Sequence, residues 1–248
     1  MSPFTLNQRR RNLGQEVEAC WICGGTADSA EHRLKRSDAR ATFGTISQKH
    51  PIFLYADEVT NARVQTVNAP ALKFRDKLCE DCNTRRTQPF DRAWDRLAKA
   101  LRRHETAIAE AGGFDFRTIL SGSPNDEMLK MHLFFVKLTL GQIVMSGSSV
   151  DREPFRQALM NVSALNSLFL KFCIYEDDDP SVFAGQSDVH EWRDPETSEP
   201  VGLAWAYIPG AQIELQVLWT AEDRELDGAW RPISKCSWVP IHFFPADE

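Results

Sequence analysis

The spacing of hydrophobic residues changes along the chain and predicts an α+β fold. Residues 128–145 are apolar on more than one face and are too many for a strand, which predicts a buried helix. Apolar residues recur every three or four positions over 153–172, which favours one or two amphipathic helices. Strand patterns follow at 203–208, 213–219 and 238–244, separated by turn residues. The C-terminal third is therefore predicted to be a small antiparallel sheet packed on helices.

The N-terminal part contains a predicted basic helix. Four apolar residues from Phe90 to Leu101 recur at helical spacing after Thr87, a residue that can cap a helix. A glycine pair and a Ser-Gly-Ser-Pro stretch follow and suggest a boundary. We therefore expect an N-terminal module at 1–110 and a second, acidic α+β domain at 111–248.

Composition and charge narrow the class of protein. The chain has 248 residues, 42% of them hydrophobic, which is enough for a core. It has no apolar run of about eighteen residues and no apolar export segment, which predicts a cytoplasmic protein without membrane contact. The net charge is +7 over 1–104 and −13 over 105–248. This split favours a nucleic-acid site in the basic part, although uneven helix composition would produce it as well.

Two Cys-x-x-Cys pairs predict a structural zinc site. Pairs at this spacing supply four thiolates for a tetrahedral ion, and a reducing compartment favours metal over disulfides. The ligands would be Cys20, Cys23, Cys79 and Cys82. The alternative is two unrelated pairs that each form a turn. Cys173 and Cys236 stand alone in apolar stretches and are interpreted as buried thiols.

An acidic residue, a histidine and an asparagine accompany the cysteines. Glu31 and His32 lie between the two pairs, and Asn83 follows the last cysteine. Hydrolysis of a phosphodiester needs a base for water, a hard cation and oxygen ligands for that cation, and these three residues supply those types. The alternative for Glu31 and His32 is a surface salt bridge or the start of a helix. The isolated histidines, interpreted as structural or surface residues, are His132, His190 and His242.

The order of these residues resembles the HNH, or ββα-metal, endonuclease superfamily. It is most similar to the phage recombination endonuclease VII-like zinc-containing nucleases, over roughly residues 18–94. The resemblance implies an N-terminal zinc-stabilised ββα-metal module, followed here by a helical region and the small antiparallel sheet. It also implies that His32 is the general base and that Glu31 and Asn83 hold catalytic Mg²⁺ or Mn²⁺.

The chain departs from the family pattern between the acid-His pair and the second cysteine pair. A long insertion is expected at 40–68, with candidate strands at 59–67 and 72–78. Asn68 is a rival for the middle asparagine of the motif. We prefer Asn83 because Cys82 fixes its position, whereas Asn68 precedes Ala-Pro, as in an ordinary turn.

These observations predict a metal-dependent HNH endonuclease that cuts DNA, with RNA as an alternative substrate, in a phage or defence-related role. The predicted contacts to phosphates are basic residues beside the site, namely Arg33, Lys35, Arg36, Arg85 and Arg86. One alternative is a catalytically inactive zinc module that binds nucleic acid or a protein partner. Another is a regulatory or inhibitor protein that binds a partner through its acidic C-terminal half.

Overall fold

The computed structural model describes residues 19–56, 59–119, 123–176, 183–210, 212–222, 225–232 and 237–245. It is a mixed α+β protein with one small antiparallel sheet and one larger mixed sheet. The helices are α1 (Arg36–Phe43), α2 (Gln88–Ala111), α3 (Phe116–Ile119), α4 (Pro124–Ser146) and α5 (Glu153–Asn161). A 3-10 turn at Pro70–Leu72 and a π-helical segment at Asp81–Arg86 precede α2.

The strands form two sheets of different size. Their bounds are β1 (Ile52–Ala56), β2 (Val59–Val64), β3 (Gly113–Asp115), β4 (Leu168–Glu176), β5 (Gly185–Gln186), β6 (His190–Arg193), β7 (Pro200–Ile208), β8 (Ile213–Thr220) and β9 (Trp238–Pro245). β1 and β2 pair as a hairpin inside the predicted insertion. The larger sheet has seven strands in the order β3-β9-β4-β8-β7-β5, and β6 also pairs with β7.

Several predicted elements are confirmed at close to their predicted positions. The helix expected at 128–145 is α4, and the three C-terminal strand patterns are β7, β8 and β9. The C-terminal sheet is larger than predicted and is not purely antiparallel, because β9 runs parallel to β4. The helical prediction over 153–172 is wrong after Asn161. Residues of β4 are buried on both faces in the middle of the sheet, so their continuous apolar run resembles that of a buried helix.

The predicted candidate strands near the cysteines form only in part. The pattern over 59–67 gives β2, which ends at Val64. Residues 72–78 form no continuous strand, but they pair antiparallel with residues 29–32 through the bridges Ser29↔Leu78 and His32↔Lys73.

One hydrophobic cluster joins the two parts of the chain. It contains buried residues from Cys20 to Ile241, so the predicted units at 1–110 and 111–248 share a core. α2 packs along α4, and Gly112, at φ +67°, ends α2 in the left-handed conformation that favours glycine. Among the described helices, α4 alone is long and apolar enough for a membrane span, and most of it is buried inside the protein.

Candidate functional site

The four cysteines predicted to bind zinc lie together. Their Sγ atoms all lie within 4.8 Å of one another, and those of Cys23 and Cys79 are 3.6 Å apart. A tetrahedral ion with Zn–S bonds of about 2.3 Å places its sulfurs about 3.8 Å apart. Thiols at these separations are unbonded to each other and fit a structural zinc site.

Local backbone geometry orients the thiols. The Gly25 N–H donates to Cys23 Sγ, and the Cys82 N–H donates to Cys79 Sγ, each at 3.4 Å. Gly24 has φ +78°, which permits the tight turn after Cys23. Backbone bonds between Ser29 and Leu78 at 2.8 Å in both directions bring the second pair beside the first. The long insertion therefore closes on a short antiparallel pairing.

The same pairing places the three predicted catalytic residues on one cavity. The cavity has a volume of about 420 Å³ and opens beside the first turn of α2. Its walls combine acidic, basic and amide side chains. They comprise Ala30, Glu31, His32, Lys35, Arg36, Ser37, Asn83, Thr84, Gln88, Asp91, Arg92 and Asp95.

His32 is held in one orientation by the end of the insertion. Its Nε2 lies 3.1 Å from the carbonyl oxygen of Val67. A carbonyl only accepts hydrogen bonds, so Nε2 carries the proton and Nδ1 keeps its lone pair. Burial, together with the charges of Arg36 and Lys73, lowers the pKa of His32 to about 4. The imidazole is therefore neutral at pH 7.

Asn83 joins the helical side of the cavity to the strand side. Its Nδ2 donates to Ser29 Oγ at 2.8 Å and to the Ala30 carbonyl at 3.4 Å. Its amide oxygen is therefore the atom left for a ligand. The rival, Asn68, accepts a bond from Arg36 Nη1 at 3.4 Å and does not line the cavity.

Glu31 is paired with a buried lysine that the sequence prediction did not include. Lys137 Nζ lies 3.0 Å from Glu31 Oε1 and 2.8 Å from Asp91 Oδ1, and the lysine side chain is 0% exposed. Burial opposes the charged ammonium, but the attraction of Asp91 and Glu31 exceeds it, so the pKa of Lys137 is raised. Burial also raises the pKa of Glu31, and the ammonium opposes that rise.

The predicted phosphate-contacting residues fall into two groups. Lys35 and Arg36 line the cavity, and Lys35 Nζ lies 3.7 Å from Asp91 and 3.5 Å from Asp95. Arg33, Arg85 and Arg86 lie outside the cavity wall. Arg33 pairs with Asp188 at 3.5 Å, and Arg85 and Arg86 both approach Asp81.

Sequence reasoning missed part of this site. Neither Asp91 nor Lys137 is among the predicted site residues, and Lys137 lies within the run at 128–145 that predicts only a buried helix. A lysine inside the apolar run Phe-Phe-Val-Lys-Leu indicates a buried acidic partner, because an unpaired charge is costly to bury. Nothing in the sequence identifies that partner, since Glu31 lies 106 positions away.

The side chains of Glu31 and Asn83 can be compared with the ligands that the predicted catalytic cation prefers. A carboxylate and an amide oxygen are the types of ligand that Mg²⁺ and Mn²⁺ accept, and Glu31 and Asn83 supply them at one cavity. The set therefore fits in chemical type, although the Glu31 carboxylate already has a cationic partner. Of the residues that the structure describes, only the four cysteines form a converging group of three or more His, Cys, Asp or Glu ligands.

Two other residues discussed in the sequence analysis, His132 and Cys173, are buried in the protein. His132 is fully buried, and its Nε2 accepts the backbone N–H of Leu165 at 3.3 Å. Cys173 is a buried thiol, as predicted, and Cys236 lies outside the described residues.

Comparisons with known proteins identify no family for this chain. No protein-family model, curated protein or solved structure matches the chain.

Proposed function

We propose that the protein is a metal-dependent endonuclease of the HNH type that hydrolyses phosphodiester bonds in DNA. The observation that supports this best is the convergence of Glu31, His32 and Asn83 on one cavity beside the cysteine cluster. Isolated antiparallel bridges join residues 29–32 to 72–78 ahead of the helical segment that carries Asn83, and this chain order is compatible with a ββα-metal module.

His32 is the proposed general base. With Nε2 donating to Val67, the lone pair of Nδ1 is available to take a proton from the attacking water. The imidazole is neutral at pH 7, as a base must be. A bound phosphodiester brings negative charge next to His32, which raises its pKa and stabilises the imidazolium that forms.

Substrate and cation are held by the surrounding side chains. Glu31 and Asn83 would hold Mg²⁺ or Mn²⁺, which supplies positive charge to the leaving oxygen and the pentavalent phosphate. Arg36 and Arg92 line the same cavity and can contact the phosphates. Arg85 is paired with Asp81 through Nε, but its side chain is 82% exposed and its outer guanidinium nitrogens can contact the flanking DNA backbone.

A cleavage assay with two histidine variants tests this proposal. Supercoiled plasmid is incubated with Mg²⁺ or Mn²⁺ and with wild type, His32→Ala or His190→Ala, and the zinc content of each protein is measured. Loss of a general base should slow cutting by about 10²-fold or more. His190 is exposed on β6, so its variant should cut like the wild type. Equal cutting by His32→Ala, or none by the wild type, would refute the mechanism.

A second candidate is a catalytically inactive zinc module that binds nucleic acid. The pairing of Glu31 with Lys137 favours it, because the ammonium compensates the carboxylate charge that a divalent cation would need. In this case the wild type should retard DNA in a gel without cutting it. An Arg36→Ala/Arg92→Ala double variant should lose that retardation, and unchanged retardation would argue against the cavity as the contact.

A further inference from the structure

The charges around the cavity decide how a divalent cation can enter it. Three carboxylates line the wall, from Glu31, Asp91 and Asp95, and three cationic side chains line it as well, from Lys35, Arg36 and Arg92. These charges cancel. Lys137 lies behind the wall and adds one positive charge in direct contact with two of the carboxylates. A free divalent cation therefore meets no net negative charge.

The Lys137 ammonium is fixed between its two acidic partners. Its ammonium is bonded to Glu31 and Asp91, is 0% exposed and lies 5.7 Å from the centre of the Phe134 ring. A lysine in these contacts stays charged, and it occupies the space between the two carboxylates. Divalent cations that keep several waters are commonly bound by one or two carboxylates together with phosphate oxygens of the substrate. The negative charge missing from this wall is the charge that a phosphodiester brings.

We propose that Lys137 is an internal counter-cation that keeps the divalent-cation affinity of the free protein low, so that the cation binds together with the phosphodiester. This inference rests on the proposed function, because it concerns the cation held by Glu31 and Asn83. It assigns a positioning role at the site to a residue of the C-terminal half, on α4. By linkage, DNA and the divalent cation must raise each other's affinity by the same factor.

Titration with Mn²⁺, followed by electron paramagnetic resonance, tests this role without any need for cleavage. Lys137→Met removes the charge and keeps much of the side-chain volume, and Lys130→Met is the same change on the same helix at a partly exposed lysine paired with Asp126. Lys137→Met should bind Mn²⁺ at least about tenfold more tightly than the wild type. Lys130→Met should bind like the wild type, and Glu31→Gln added to Lys137→Met should abolish the gain.

Removing a buried counter-charge can unfold a protein, so a second measurement uses the wild type alone. A short DNA duplex with phosphorothioate linkages should tighten Mn²⁺ binding by the wild type at least about tenfold. If Lys137→Met does not fold, Lys137→Gln takes its place in the first measurement. Unchanged or weaker Mn²⁺ binding by the folded Lys137 variant would overturn the proposal, as would Mn²⁺ binding by the wild type that is independent of DNA. Failure of the nuclease function appears instead as absence of cutting, while the comparison of Mn²⁺ affinities still stands.

Discussion

Replacement of one cluster cysteine should destabilise the protein far more than replacement of an equally buried cysteine elsewhere. Cys82 and Cys173 are 1% and 0% exposed, so Cys82→Ser and Cys173→Ser bury the same hydroxyl. Only the first change removes a thiol from the four that lie within 4.8 Å of one another. The pair therefore separates the effect of a zinc ligand from the effect of a polar atom in the core.

The magnitude follows from the loop that the cluster closes. Residues 24–78 lie between the two Cys-x-x-Cys pairs, and closing a loop of this length costs about 3.6 kcal/mol. A structural zinc site contributes on the order of 10 kcal/mol, which exceeds that cost and is comparable to the whole stability of a domain. Loss of even about 5 kcal/mol lowers Tm by roughly 10–20 °C in a chain of this size. Cys173→Ser should cost about 1 kcal/mol, or a few degrees.

The assay combines zinc stoichiometry by mass spectrometry with thermal unfolding by circular dichroism under reducing conditions. Wild type and Cys173→Ser should carry one zinc ion, and a strong chelator should bring the wild type towards the Tm of Cys82→Ser. Wild type purified without zinc, or equal Tm values for the two variants, would refute the reasoning.

Four further substitutions test other buried contacts. Asp38→Ala should lower the free energy of unfolding in urea by about 3–5 kcal/mol, because the buried carboxylate accepts three side-chain hydrogen bonds. Tyr207→Phe removes only one of the three donors and should lower it by about 1–2 kcal/mol. Equal losses for the two variants would contradict this. Burial lowers the pKa of His132 to about 3, so between pH 6.5 and 3 the unfolded chain binds more protons than the folded one. The free energy of unfolding therefore falls as the pH falls, and this histidine accounts for a loss of about 2 kcal/mol at pH 5. His132→Gln should flatten that part of the stability-pH profile, and an unchanged slope would show that other groups cause it. Gly141→Ala places a methyl group 2.9 Å from the Phe74 ring and should cost about 1–3 kcal/mol by overpacking; an unchanged Tm would mean that the ring moves aside freely.

The predictable elements are those whose residue pattern is local. α4 is recognisable because its apolar run is long, and β8 because apolar Ile213, Leu215 and Val217 alternate in sequence with polar Glu214 and Gln216. The two cysteine pairs predict their own assembly because each pair is a compact turn with a fixed spacing. In each case the information lies within a few residues of the chain.

The features that escaped prediction depend on distant contacts. The side chains on both faces of β4 are buried, and its sequence does not distinguish that environment from a helix core. The contact between Glu31 and Lys137 joins residues 106 positions apart. The sequence indicates that Lys137 needs an acidic partner, but only the folded structure places this residue of α4 beside Glu31.

The position of β9 in the larger sheet has a consequence for how the chain reaches its folded state. β9 lies between β3 and β4, and its residue Pro240 pairs with Gly113, far earlier in the chain. Contacts of such high sequence separation form slowly, and until β9 docks, the apolar edge of β4 offers unpaired N–H and C=O groups to other molecules. Aggregation during refolding should therefore compete with insertion of this strand, and chaperones that shield strand edges should raise the yield of folded protein.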